Sequence, residues 1–201
     1  MKVLRVIGGS ARGLRLESVP GESTRPITDR VKEALFNIIG QDIVAASFLD
    51  LFAGTGAVAI EALSRGAAFA RLIDAHPLAV RTIRANLKKT RLADRAEVVQ
   101  RDAFAVLGGA ADRRFDYVYI APPQYKGLWK KALLTLDARP DWLQSDAWVI
   151  VQIHPVEAEP VELKNLEAFD RRQYGSTMLM FYIPREQPGG TEDDRRPDPR
   201  P

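Results

Sequence analysis

Residues 47–59, SFLDLFAGTGAVA, constrain this chain more than any other segment. A short apolar run ends on Asp50, gives way to small residues with Gly54 and Gly56, and resumes with helix formers. This is the pattern of a buried strand turning sharply into a helix. Glycine lets a backbone approach a ligand closely, and the first turn of the helix offers free N–H groups. A cofactor carrying an adenosine suits such a turn. Asp74 closes a second strand-like run, RLID, at about the twenty-residue spacing at which an acid meets a ribose hydroxyl in dinucleotide folds.

The glycines do not by themselves choose the nucleotide, because Gly54, Gly56 and Ala59 also satisfy G-x-G-x-x-A. Two features favour S-adenosylmethionine over NAD. Asp50 stands where a ligand would lie, and a carboxylate there attracts a cationic amino acid and repels a pyrophosphate. Ala121, Pro122, Pro123, Gln124 and Tyr125 follow a strand-like run over 117–120. Prolines stiffen such a loop, its carbonyls can face an amine, and an aromatic ring can stack on a planar base. Taken alone, Asp50 also reads as a helix cap.

The rest of the chain alternates strand and helix patterns: strands near 48–52, 69–73, 97–100, 117–120 and 148–153, helices near 58–65, 77–90 and 128–136. That alternation predicts a parallel sheet with helices on both faces. Strands over 167–174 and 178–183, joined at Gly175 and Ser176, add an antiparallel edge. Ahead of this unit, residues 4–16 read as two short strands around a glycine turn. Thr28 or Asp29 caps a helix over 30–39 whose apolar residues Val31, Ala34, Leu35, Ile38 and Ile39 share one face. Residues 187–201, QPGGTEDDRRPDPRP, cannot join a core and read as a disordered tail.

Composition excludes much else. The 201 residues, 46% of them apolar, are enough for one domain with a substantial core. There is no cysteine, and His76 and His154 are the only imidazoles, without metal-ligand spacing around them, so no metal site is expected. No run reaches the roughly eighteen apolar residues of a membrane span and no signal peptide is evident, so a cytoplasmic protein is expected. The net charge of +3 permits a nucleic-acid partner. Lys2, Arg5, Arg12, Arg15, Arg25, Arg30 and Lys32 form a basic group expected to face RNA. Arg81, Arg84, Lys88, Lys89, Arg91 and Arg95 read as a solvated helix face, and Trp129, Trp142 and Trp148 as core.

Together the motifs DLFAGTG, TRPITDRVKEALFNII, RDAF, the double-proline loop and RRQYGST resemble the RsmD-like 16S ribosomal RNA guanine-N2 methyltransferases, over nearly all of residues 4–183. The resemblance implies an α/β fold: a Rossmann-like, seven-stranded class I methyltransferase sheet over 47–186, with a small N-terminal β-hairpin and helix extension over 1–46. It implies S-adenosylmethionine as cofactor, with Asp50, Phe52, Gly54 and Gly56 at its methionine end and Asp74 and Ala75 at the ribose. Asp102 and Ala103 would take the adenine, although Asp102 also reads as a helix N-cap. It implies 16S ribosomal RNA or the assembling small subunit as partner, contacted through Arg5, Arg12, Arg25 and Arg30, and a monomer.

One departure stands out. The family's loop is D-P-P-Y or N-P-P-Y, and its first side chain accepts a hydrogen bond from the reacting amine. Here Ala121 holds that position and Gln124 the aromatic one, with Tyr125 one residue later. Three readings follow. The carbonyls of Ala121 and Pro122 orient the amine, with Gln124 assisting and Tyr125 stacking; or Asp29 reaches in; or the chain binds cofactor and RNA with little or no turnover. A methyltransferase with another acceptor and, more remotely, an NAD-dependent oxidoreductase complete the alternatives.

Overall fold

Strand β1 (Ser47–Asp50) is buried along three of its four residues and lies at the centre of the sheet. The computed structural model describes residues 4–21 and 27–186; Lys2, Arg25, the start of the 24–39 segment and the 187–201 tail lie outside the described residues. After β1 come α2 (Ala57–Ser64), β2 (Phe69–Asp74), α3 (Pro77–Thr90), β3 (Ala96–Gln100), α4 (Ala103–Leu107), β4 (Phe115–Ile120), α5 (Leu128–Asp137), β5 (Leu143–Ile153), β6 (Leu166–Tyr174) and β7 (Thr177–Pro184). Among the described residues, α1 (Asp29–Ile39) and a 3-10 turn (Gly40–Ile43) precede β1.

The seven strands form one sheet in the order β3-β2-β1-β4-β5-β7-β6. The first five are parallel; β7 runs antiparallel to β5, and β6 pairs only with β7. This is the class I methyltransferase order. The chain leaves β1 toward β2 on one side and later returns as β4 on the other, so the sheet has its switch point between β1 and β4. Ligands of open α/β sheets bind outside the carboxyl ends at such a point.

Two cores cover the two faces. One joins Leu4, Val6, Val31, Leu35 and Phe36 to Phe48, Ile60, Ile83 and Phe181; the other joins Leu49, Phe115, Trp129, Leu133 and Trp142 to Val151 and Met180. The N-terminal hairpin and α1 thus share a core with the sheet. Trp129 and Trp142 are buried as predicted, and Trp148 packs half-buried against Tyr117, Phe169 and Phe181.

The predicted helices and strands are present, with shifted ends where polar residues interrupt apolar runs. Strand β5 begins five residues before Trp148, through exposed Ser145 and Asp146. Strand β4 takes in Asp116, whose carboxylate accepts from the N–H and hydroxyl of Ser47 at 2.7 and 2.6 Å. Helix α1 is capped by Thr28 Oγ1, which accepts from Val31 N–H at 3.3 Å. The N-terminal hairpin is reduced from the two predicted strands to a single bridge, Arg5 to Arg15. Its arms still exchange backbone hydrogen bonds, Val6 N–H to Leu14 O, Gly13 N–H to Val6 O and Leu16 N–H to Leu4 O, and its tip bonds to α2: Ser10 N–H donates to Ser64 O and Ala11 N–H to Ser64 Oγ. Gly9, at φ 73°, makes this possible, since a Cβ there would stand 1.8 Å from Ser64 O.

Lys32 corrects a prediction. It does not face RNA; its side chain is fully buried, with Nζ 3.5 Å from the equally buried Glu61 and donating to Arg5 O at 2.5 Å. Glu61 also accepts from the N–H groups of Ile7 and Gly8 and pairs with Arg65 at 2.8 Å. Hairpin, α1 and α2 therefore meet on one buried carboxylate. Arg95 is a second correction: it is not on the solvated face, because its guanidinium donates to Leu63 O and Ala67 O at the end of α2.

Candidate cofactor and active site

The carboxyl ends of β1, β2 and β4, with the turns that follow β3 and β5, line one edge of the sheet. They carry nearly all the site residues read from the sequence. Asp50 ends β1, Asp74 ends β2, Asp102 follows β3, and Ala121–Tyr125 follow β4.

Asp50 is 1% exposed, and its Oδ1 has no hydrogen-bond partner among the described residues. Burial pushes its carboxyl up to about 7; the Phe52 N–H draws it down, the nearby charge of Asp74 raises it further, and the Ala59 N–H lowers it slightly. A buried oxygen left without a donor is costly unless something supplies one. The helix-cap reading of Asp50 is not met, since α2 is preceded by Gly56 at φ 76° with no side-chain cap.

The glycine loop is tied to β2 by Asp74. Its Oδ2 accepts from Gly54 N–H and its Oδ1 from His76 N–H, both at 2.8 Å. Each oxygen keeps a lone pair for a further donor. Gly54, at φ 55°, has open space where a Cβ would stand, whereas a Cβ on Gly56 would press on Leu72 at 3.0 Å. The two glycines thus serve different ends: Gly54 leaves room in front of the loop, and Gly56 permits tight packing behind it. Phe52 is half-buried and sets its ring edge-on to Phe104, 6.1 Å away; Ala75 is exposed beside Asp74.

Asp102 combines both sequence readings. It caps α4, its Oδ1 accepting from Ala105 N–H at 3.0 Å, while the side chain stays exposed, with no hydrogen bond to Oδ2 among the described residues. Ala103 is buried beneath it. The set fits a ligand with an ammonium group for Asp50 and a vicinal diol for Asp74, which are the two ends of S-adenosylmethionine short of its adenine.

In the loop after β4, Ala121 is half-buried against the α1-side core, Pro122 is buried, and Pro123, Gln124 and Tyr125 are exposed. Tyr125 is 66% exposed and adopts φ 63°, uncommon for a bulky residue. Its N–H donates to Glu157 Oε2 at 2.7 Å, and its ring lies 5.9 Å from that of His154. Neither His154 nor Glu157 was given a role from sequence. HPVE does not match the Ser/Thr-x-x-Glu pattern of a capping box, yet the bonds of one form: His154 Nδ1 accepts from Val156 N–H, and Glu157 Oε1 from His154 N–H.

The basic residues separate. Arg5 pairs with Asp29 at 2.8 Å, and exposed Arg30 follows Asp29 in the first turn of α1. Arg12 is exposed at the hairpin tip, over the C-terminal end of α2 and so at the edge of the sheet opposite the site. The group that looked continuous in sequence is not one surface.

A family model described as "Conserved hypothetical protein 95" matches residues 4–183. The "Ribosomal RNA small subunit methyltransferase D" of Escherichia coli strain K12 is 34% identical over 191 residues, 95% of this chain and 94% of that protein. The chain belongs to the RsmD-like methyltransferase family. Within this family YlbH of Bacillus subtilis is 40% identical over 182 residues, 89% of this chain and 98% of that protein. The solved Escherichia coli yhhF structure superimposes with a TM-score of 0.82 at 33% identity, covering 92% of this chain and all of that one (100%). The seven-stranded order is therefore that of an RsmD-like sheet.

Proposed function

We propose that this protein transfers a methyl group from S-adenosylmethionine to the exocyclic N2 amine of a guanine in 16S ribosomal RNA. The observation that carries the cofactor half is the unpartnered, fully buried Asp50 Oδ1 beside a glycine loop held by Asp74. The RNA half draws support from the Escherichia coli relative, a ribosomal RNA small subunit methyltransferase, and from Arg30 in the first turn of α1 with Arg5 paired beside it to Asp29. Cytoplasmic action on assembling subunits is part of the same proposal; among the described residues no helix is long and apolar enough to cross a membrane.

When bound, S-adenosylmethionine supplies an electrophilic methyl on its sulfonium. The protein's task is then chiefly to hold the acceptor in line. Asp50 would hold the ammonium, Asp74 the ribose hydroxyls, and Asp102 with the Ala103 N–H the adenine. A guanine N2 lone pair is delocalised into its ring, so an acceptor drawing on the N–H is needed to turn it toward the methyl. Ala121 has no side chain for this, and the carbonyls of Ala121 and Pro122 take the role, with Gln124 assisting and Tyr125 stacking on the base. Asp29 is the weaker candidate because Arg5 already holds its carboxylate. The test is incorporation of labelled methyl into small-subunit particles lacking the modification. Label in the RNA supports the proposal; label only in protein, or none, overturns it.

A further inference from the structure

We infer that Glu157 is a positioning residue for methyl transfer, holding Tyr125 in its left-handed backbone conformation and so fixing where its ring stands. This rests on the reading that Tyr125 stacks on the target base. A tyrosine at φ 63° is strained, and strain of this kind persists only where the surroundings hold it. Packing cannot do so here, because the residue is two-thirds exposed at 66%. The contact that does is the 2.7 Å bond from Tyr125 N–H to Glu157 Oε2.

The other oxygen of the same carboxylate faces β5. Oε1 accepts from His154 N–H at 3.4 Å, and His154 Nδ1 accepts from Val156 N–H at 3.3 Å, which closes the short turn Pro155–Glu157. Strands β4 and β5 are parallel neighbours, with Ile120 opposite Val151, so the segments leaving them emerge side by side. One carboxylate thus pins the catalytic loop to the end of the next strand. Gly127, at φ 62°, turns the chain again two residues after Tyr125, so the loop has little fixed geometry of its own beyond this anchor and its two prolines.

A carboxylate that merely capped the Pro155–Glu157 turn would affect stability alone. A double-mutant cycle separates the two roles. Single-turnover methyl transfer to small-subunit particles and S-adenosylhomocysteine affinity are measured for Glu157→Ala, Glu157→Gln, Tyr125→Ala and the Tyr125→Ala/Glu157→Ala pair. Glu157→Ala should slow transfer roughly ten- to a hundredfold, the scale of a misplaced reacting group, with cofactor affinity held within about twofold. Glu157→Gln should restore most of the rate, since its amide oxygen accepts the same N–H. In the Tyr125→Ala background, removing Glu157 should change nothing further. A slow Tyr125→Ala with a full-rate Glu157→Ala overturns this inference alone, as does a Glu157 effect that persists without Tyr125. A full-rate Tyr125→Ala overturns the stacking reading and this inference with it.

Discussion

At the scale of single residues, Asp50 and Ala121 decide most. Asp50 is pushed up to about 7 in the folded chain, well above its ordinary value of 3.8. Between those values the folded state holds a proton that the unfolded chain has released, so Asp50 costs stability progressively as pH rises from about 4 to about 7, and no more above that. The cost amounts to a few kcal/mol. Asp50→Asn should therefore stabilise the free protein at pH 8 and much less at pH 4, measured by urea unfolding at both. A cationic amine favours the ionised carboxyl, so S-adenosylhomocysteine should bind with release of a proton at pH 6, seen by calorimetry in buffers of different ionisation enthalpy. Equal heats in all buffers would count against Asp50 as the amine's partner. At Ala121 the chain lacks a side-chain acceptor. Ala121→Asp should speed single-turnover transfer by roughly ten- to a hundredfold, the worth of a hydrogen bond of about 1–3 kcal/mol to a reacting group, with unchanged cofactor affinity. A slower Ala121→Asp variant would mean that backbone carbonyls already occupy the amine. The acids proposed to hold the cofactor were legible because Asp50 and Asp74 end strands and Asp102 follows one. Glu157 was not, because its partner Tyr125 lies 32 residues away in sequence.

Among the elements, α1 with the hairpin shows where periodicity stops being informative. The apolar spacing of α1 identifies a helix and its buried stripe, but it also makes Lys32 look like a polar neighbour to that stripe. The structure buries Lys32 against Glu61, 29 residues on, a pairing that no local pattern contains. Burial lowers the Lys32 pKa while the Glu61 charge raises it; the first effect is the larger. Lys32→Met should destabilise the protein by about 3 kcal/mol, since it strips one partner from a buried charge and leaves Arg5 O without its donor. Urea unfolding would measure the loss, and proteolysis at residues 9–13 should accelerate as the hairpin loosens from α2. Unchanged stability would show that Arg65 and the Ile7 and Gly8 N–H groups satisfy Glu61 by themselves. The shortness of the hairpin's pairing was illegible for a related reason: the donors at its tip are committed to Ser64 and Glu61 on a distant helix.

For the whole molecule, the parallel sheet was legible from alternation alone, and the proposed site lies at its switch point. The N-terminal basic residues were the part least well read, because closeness in sequence suggested one surface where the fold makes two. That division carries a prediction: Arg30→Ala should weaken binding to small-subunit RNA and flatten its salt dependence, whereas Arg12→Ala, at the opposite edge, should change it less. Equal losses in a salt titration would restore a single RNA surface. S-adenosylhomocysteine should raise the melting temperature and NAD should not, because only a ligand of the native state stabilises it. The most direct measurement uses S-adenosylmethionine with a heavy methyl, small-subunit particles lacking the modification, and nucleoside mass spectrometry of the digested RNA. The account predicts heavy N2-methylguanosine from a single position of 16S ribosomal RNA. Heavy methyl on any other nucleoside, or none with cofactor and RNA both bound, would contradict it.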